Sequence, residues 1–247
     1  MEEKRKKEKI MKLDNQVVFV SGTNRGIGKA IVDALIKRGV KKVYAAARKI
    51  DQSAWKDARV VPVELDITSP QQIQKALARA QDVNVLINNA GSLSGGSVLT
   101  ATEPDLMRDM QVNYFGTLNM VRAFEPVIEK NGRGSIVNVS SVVGLASMAQ
   151  AAGYSASKAA IFSASQALRA ELKAKNISVH IVFPGPIDTD MARDFDFQKT
   201  SPAVAAENII KGIEAGDEDI FPDPFSVQIG GSWSKDPKAV ERSFAAM

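Results

Sequence analysis

The chain has 247 residues, 45% hydrophobic and 24% charged, with a formal net charge of +4. This is the balance of an ordinary globule, and the length suits one α/β domain. No Cys is present, which excludes disulfides, a thiol nucleophile and Cys-based metal sites; the one His, His180, excludes a multi-His metal centre and makes a His-centred triad a poor expectation. No apolar run approaches the roughly 18 residues a membrane span needs. Met1–Lys12 is charged rather than apolar, so a cytoplasmic protein with no membrane partner is expected.

In chain order, Met1–Lys12 comes first, with six Lys or Arg against three Glu, so it holds +3 of the net charge. It reads as a charged, disordered extension, residues 13–247 read as one domain, and no nucleic-acid partner is expected. Val17–Ser21 reads as a buried strand, Gly26–Lys37 as a helix ended by Gly39, and Lys41–Ala46 and Val60–Glu64 as strands. Ser69–Ala80 is predicted helical with Pro70 in its first turn, and Val83–Ile87 is the fourth strand. Glu103–Lys130 is predicted mostly helical, with a kink or early stop at Pro126. Gly134–Ser140, Ile177–Phe183 and Asp219–Phe221 read as strands; Tyr154–Lys175 and Pro202–Ala215 read as helices; residues 225–247 read as a polar tail. His180 reads as an ordinary sheet histidine, and Trp55 and Trp233 as packing residues. Repeated strand–helix–strand units predict a single doubly wound parallel sheet with helices on both faces. Such sheets bind ligands beyond the carboxyl ends of the strands, where the strand order reverses.

The first strand is followed by Ser21-Gly22-Thr23-Asn24-Arg25-Gly26-Ile27-Gly28 and then a helix. Glycines let the backbone turn sharply and approach a pyrophosphate, and the helix N-terminus offers free N–H groups. The spacing is Gly-x-x-x-Gly-x-Gly rather than the commoner Gly-x-Gly-x-x-Gly. About twenty residues on, NAD-binding domains carry an acid for the ribose 2′-hydroxyl. This chain has Ala47-Arg48-Lys49 there, and Arg25 inside the loop. A guanidinium grips a 2′-phosphate in two hydrogen bonds, so NADP(H) is favoured over NAD(H).

The fifth strand runs into Ser140-Ser141, and thirteen residues after Ser141 comes Tyr154-Ser155-Ala156-Ser157-Lys158 at the start of a helix. Spacing i to i+4 puts Tyr154 and Lys158 on one helix face. A nearby ammonium, with a cationic nicotinamide ring, is expected to lower the pKa of the phenol. Tyr154 then serves as general acid for carbonyl reduction or base for alcohol oxidation, and Ser141 hydrogen-bonds the substrate oxygen.

Across about residues 13–221 the chain resembles the short-chain dehydrogenase/reductase superfamily, a Rossmann-type fold. The resemblance rests on Gly22-x-x-x-Gly26-x-Gly28, Asn88-Asn89-Ala90-Gly91, Asn113, Ser141, Tyr154-x-x-x-Lys158 and Pro184-Gly185. It implies a catalytic set of Asn113, Ser141, Tyr154 and Lys158, in which Asn113 holds a water that links Lys158 to solvent and Lys158 also binds the nicotinamide ribose. It further implies cofactor contacts from Gly22, Asn24, Arg25, Gly26, Ile27, Gly28, Arg48, Asp66, Ile67, Asn89, Ala90, Gly91, Pro184, Gly185, Ile187 and Thr189, with Asp66 near the adenine amino group. Ser140 is the structural member of the Ser pair. Asp188–Thr200, with Met191, Phe195 and Phe197, is expected to cover the substrate, and Leu93, Ser94, Leu145 and Gln150 to lie near the pocket. The chain lacks the Asp-Gly-Gly ending of many members, so a homodimer through the long helices is expected before a homotetramer. The function so implied is NADPH-dependent reduction of a small ketone or aldehyde, with an NAD(P)-dependent alcohol dehydrogenase or biosynthetic ketoreductase as alternatives and a non-catalytic NADP-sensing scaffold last.

Overall fold

The computed structural model describes residues 11–50, 55–193, 196 and 198–246. The strands are β1 (Val17–Ser21), β2 (Lys42–Ala47), β3 (Val60–Glu64), β4 (Val85–Asn88), β5 (Gly134–Val139), β6 (Ile177–Val182) and β7 (Asp219–Ile220). They form one parallel sheet in the order β3-β2-β1-β4-β5-β6-β7. The chain runs outward from β1 to β3, then returns to the other side of β1 as β4. The order therefore reverses between β1 and β4, and a crevice opens beyond Ser21 and Asn88.

Strand side chains alternate between two apolar layers, because successive residues point to opposite faces. Val18, Val20, Val43, Val85 and Ile87 pack against α1 (Gly26–Lys37) and α6 (Pro202–Ala215) through Ile31, Leu35, Ile209 and Ile213. On the other face, Phe19, Leu86 and Ile136 meet α2 (Pro70–Arg79), α4 (Thr117–Lys130) and α5 (Ala152–Leu172) through Ile73, Phe124, Ile128 and Leu172. Met11, assigned from sequence to the extension, is buried in the first layer and accepts a hydrogen bond from Ser135 Oγ, so the packed chain begins before Leu13.

The expected stop at Pro126 is absent: α4 continues to Lys130. The irregularity lies earlier, where α3 (Glu103–Asp109) passes into one π-helical stretch, Met110–Gly116, before α4. Such stretches are rare and cluster at functional sites. Residues 225–246 are not a polar tail. They form α7 (Pro224–Trp233) and α8 (Pro237–Ala245), and Ile229, Val240 and Phe244 are buried with Phe183 and Val142 in a third apolar cluster. His180 behaves as expected within β6, with Nδ1 2.6 Å from Asp217 O and Nε2 3.3 Å from Ser135 Oγ. Trp55 packs on the first layer and Trp233 meets Phe162 edge-on at 5.9 Å. Among the described residues no helix is long and apolar enough to cross a membrane.

Candidate active site

A cleft of about 720 Å³ follows the carboxyl ends of the strands. That is ample for a dinucleotide and a small substrate. Its first wall is the β1–α1 turn. Gly22 takes φ +74°, a left-handed conformation that disfavours side chains, and a Cβ there would lie 2.8 Å from Ala90 Cα. A Cβ on Gly28 would lie 2.1 Å from Gly22 O and 2.4 Å from Asn89 Nδ2. The helix behind this turn has no side-chain cap and no acid in its first turn, so its N–H groups are available to an anion.

The β4 turn is bolted to this loop. Ser21 Oγ accepts from Asn89 N and Ala90 N, both at 3.1 Å, while Asn89 Nδ2 donates to Ser21 O and Gly22 O at 3.1 and 3.0 Å. Asp66 lines the cleft after β3, one carboxylate oxygen taken by Thr68 N and Oγ1 and the other without a protein donor among the described residues. These residues fit a dinucleotide: close backbone, a free helix end and a carboxylate acceptor are the kinds of group that a pyrophosphate and an adenine amino group bind. Arg48 is exposed at the cleft and has no ion-pair partner among the described residues. Arg25 differs from the sequence expectation, because its Nη1 is 2.8 Å from Asp190 Oδ2, across the cleft mouth.

The other end of the cleft holds Ser141, Tyr154 and Lys158. Lys158 is buried, donates to Val139 O at 2.8 Å, and its Nζ lies 5.4 Å from the centre of the Tyr154 ring. Burial pulls Lys158 down to about 8, against a rise caused by Asp109. Tyr154 does not follow the expected direction. Burial pushes the phenol up to about 12, a hydrogen bond with Ser141 lowers it, and Asp109 raises it. Desolvation of the phenolate outweighs what the chain's own groups offer, and a partly desolvated lysine is a weak counter-charge. Ser141 Oγ donates to Pro184 O at 3.3 Å, and Ser140 Oγ donates to Lys158 O at 2.9 Å, the structural role expected of it.

Every residue expected at the cofactor or the chemistry lines this cleft, with Asn113 the exception. Asn113 is buried behind Gly91 in the π-helical stretch; it donates to Ser92 O at 2.9 Å and Ser157 Oγ at 2.8 Å and accepts from Ser92 N at 2.8 Å. Both amide hydrogens are thus spent in holding the β4 turn against α5. Pro184, Gly185, Ile187 and Thr189 line the cleft, and Thr189 packs on the glycine loop: a Cβ on Gly26 would lie 3.1 Å from its Cγ2. Met191 of the expected cover lines the cleft, while Phe195 and Phe197 lie outside the described residues. Leu93 lines it too, but Ser94, Leu145 and Gln150 do not.

Sequence reasoning missed Met148, Phe225 and Phe244, which close the substrate end. The signal was present. Asp223-Pro224 and Asp236-Pro237 each place a capping acid before a first-turn Pro, and both Asp side chains accept from the backbone N–H three residues on. Asp223 also accepts from Gly185 N at 2.8 Å, which ties α7 to the segment that follows β6.

A glycine turn at the switch point of a doubly wound sheet, with a Ser, Tyr and Lys at its far end, defines a dinucleotide-dependent oxidoreductase. The comparisons agree: the family described as short chain dehydrogenase matches residues 16–199, and the chain belongs to the short-chain dehydrogenase/reductase family. It is 35% identical over 175 residues to 3-ketodihydrosphingosine reductase of Bacteroides thetaiotaomicron, a match covering 70% of this chain and 65% of that one. It is 30% identical over 202 residues to the 3-oxoacyl-acyl-carrier-protein reductase of Vibrio cholerae, covering 79% and 83%. A short chain dehydrogenase from Burkholderia cenocepacia, solved in complex with NADP, superposes with a TM-score of 0.88 at 38% identity, covering 95% of this chain and 99% of that one.

Proposed function

We propose that this protein is an NADPH-dependent ketoreductase acting on a carbonyl compound with an apolar substituent. The observation that carries the reading is the half-buried Tyr154 beside buried Lys158 and Ser141, at the end of a cleft whose other end fits a dinucleotide. Bound NADPH supplies the hydride that goes to the carbonyl carbon. Tyr154 gives its phenolic proton to the carbonyl oxygen as the C–O bond becomes single. With its phenol held up at about 12, Tyr154 is protonated at neutral pH, the form that donation requires. Ser141 steadies the developing charge with a hydrogen bond. Lys158 stands beside the phenol as a cation and holds the nicotinamide ribose, while Asn113 fixes the turn against which both rest.

NADPH is preferred over NADH in this reading, because Arg48, with no ion-pair partner among the described residues, lines the cleft where a ribose acid would otherwise stand. The Burkholderia relative, which binds NADP, supports the same choice. The apolar substituent rests against Val143, Met148, Phe225 and Phe244. The two curated relatives are named as reductases of 3-keto compounds, which favours a biosynthetic ketoreductase over an alcohol dehydrogenase.

The test is Tyr154→Phe, assayed by NADPH oxidation over a panel of ketones. The expected outcome is a fall in kcat of about 10³-fold, the scale of general acid catalysis, with NADPH fluorescence titration unchanged within about twofold. Retention of a tenth of the activity removes Tyr154 from the proton-donor role.

A further inference from the structure

Asp109 ends α3 and has no exposed surface. A carboxylate so far from water is costly unless donors meet its oxygens. Ser92 Oγ donates to Oδ1 at 2.8 Å, Ser94 N lies 3.1 and 3.0 Å from the two oxygens, and Ser94 Oγ is 3.2 Å from Oδ1. All these donors belong to the segment that leaves β4 after Gly91, and Ser92 and Leu93 form part of the cleft wall. The acid also sits at the start of α5. A Cβ built on Gly153, next to Tyr154, would lie 2.8 Å from Leu106 Cδ2 and 3.6 Å from Asp109 Oδ2. The two helices meet there with no side chain on the α5 side, so the side chains of α3 rest on the Gly153 backbone.

Neutral acceptors serve for such an anchor, so the full charge needs its own account. A fixed anion favours the protonated form of any group nearby. For Lys158 this opposes burial; for Tyr154 it adds to burial. The other charged side chains lining the cleft are Arg25, Arg48, Asp66, Arg108 and Asp190. Arg25 and Asp190 pair with each other, Asp66 accepts from Thr68, and Arg48 and Arg108 are exposed. Asp109 is the charged group that acts on both Tyr154 and Lys158.

We propose that Asp109 is a positioning residue for the reduction: its buried carboxylate pins the Ser92–Ser94 wall and sets a fixed negative charge beside Tyr154 and Lys158. The inference rests on the proton-donor assignment above.

Asp109→Asn preserves the shape and removes the charge. The readout is the pH profile of kcat/KM for a ketone at saturating NADPH. Reduction needs both groups protonated, so activity falls as pH rises through the lower of the two, Lys158. Loss of the anion lowers both, and the falling limb moves to lower pH by about half a unit or more; Asp109→Glu moves it back. A limb unmoved, or moved upward, in a D109N protein that still binds NADPH overturns the proposal and leaves only a wall contact. A second variant tests the same point if D109N does not fold. Ser92→Ala with Ser94→Ala keeps the charge and loses hydroxyl donors, so KM rises while the limb stays in place; a shift of its limb overturns the proposal as well. A wild-type chain that reduces no ketone defeats the proton-donor assignment itself, a result distinct from either of these.

Discussion

From Gly22 to Gly91 the cleft wall carries four glycines; from Ser141 to Phe244 it carries one, with the rings of Tyr154, Phe225 and Phe244. At the first end, Gly22, Gly28, Ser21 and Asn89 lock two turns together so closely that a methyl group has no room. At the second, Met148, Phe225 and Phe244 come from a loop and two C-terminal helices and meet around Tyr154. A ligand part common to a whole class is held by geometry that allows one residue type. The variable part is held by apolar surface that many residue types supply. Substitutions at the two ends must therefore differ in severity and in what they disturb.

The largest effect is expected at Gly28→Ala. Its Cβ would meet Gly22 O and the Asn89 amide, neither of which can yield without opening the β4 turn. Overpacking of this kind costs about 2–3 kcal/mol, or about 30–150-fold in NADPH Kd, measured by fluorescence titration with circular dichroism as a check on folding. Gly95→Ala, where a Cβ would meet nothing within 4 Å, is the matched control and is expected to change Kd by less than about twofold. Equal effects at the two positions remove the contrast between the ends.

The two arginines sharpen it next. Arg48 is free of ion pairs among the described residues, whereas Arg25 is bonded to Asp190, which also pairs with Arg193. Under the proposed NADPH preference, Arg48→Ala raises the NADPH Kd about tenfold, the worth of one exposed charge-assisted contact, and leaves NADH unchanged. Arg25→Ala raises it by about threefold or less, because Arg25 first has to leave Asp190. Equal losses for NADPH and NADH in the Arg48 variant refute its contact with a 2′-phosphate.

The same division explains what the sequence makes legible. Gly22, Gly26 and Gly28 announce themselves because the backbone there tolerates little else, and Tyr154 and Lys158 because helical spacing puts them on one face. The parallel sheet follows from the alternation of apolar runs and amphipathic stretches. Asp109 carries no such mark. It is one acid among polar helix residues until α3 packs on α5 and buries it. The direction of the Tyr154 shift was misread for the same reason: a neighbouring lysine is visible in the sequence, while the desolvation that outweighs it is a property of the packed cleft. The C-terminal helices were legible and missed, since Asp-Pro opens both and a short, Gly-containing α7 hides its apolar face.

Those helices supply the smallest and most discriminating expectation. Asp223 caps α7, closes a reciprocal pair of bonds with Ser226 and accepts from Gly185 N, so α7 is fixed to the segment that, in the proposed reading, holds the nicotinamide. Phe225 follows on that helix, its ring 6.5 Å from the ring of Phe244. Truncating either ring at the cleft removes apolar contact from one substrate substituent while leaving Asp223 and the backbone in place. A ketone with an alkyl chain long enough to reach them loses about 1 kcal/mol of contact, about fivefold in kcat/KM for Phe225→Ala or Phe244→Ala. A small methyl ketone, which ends near Tyr154, loses less than about twofold. A loss equal for both ketones means that the helices act only as scaffold for the nicotinamide side, and then the apolar substituent has no place in the proposed substrate.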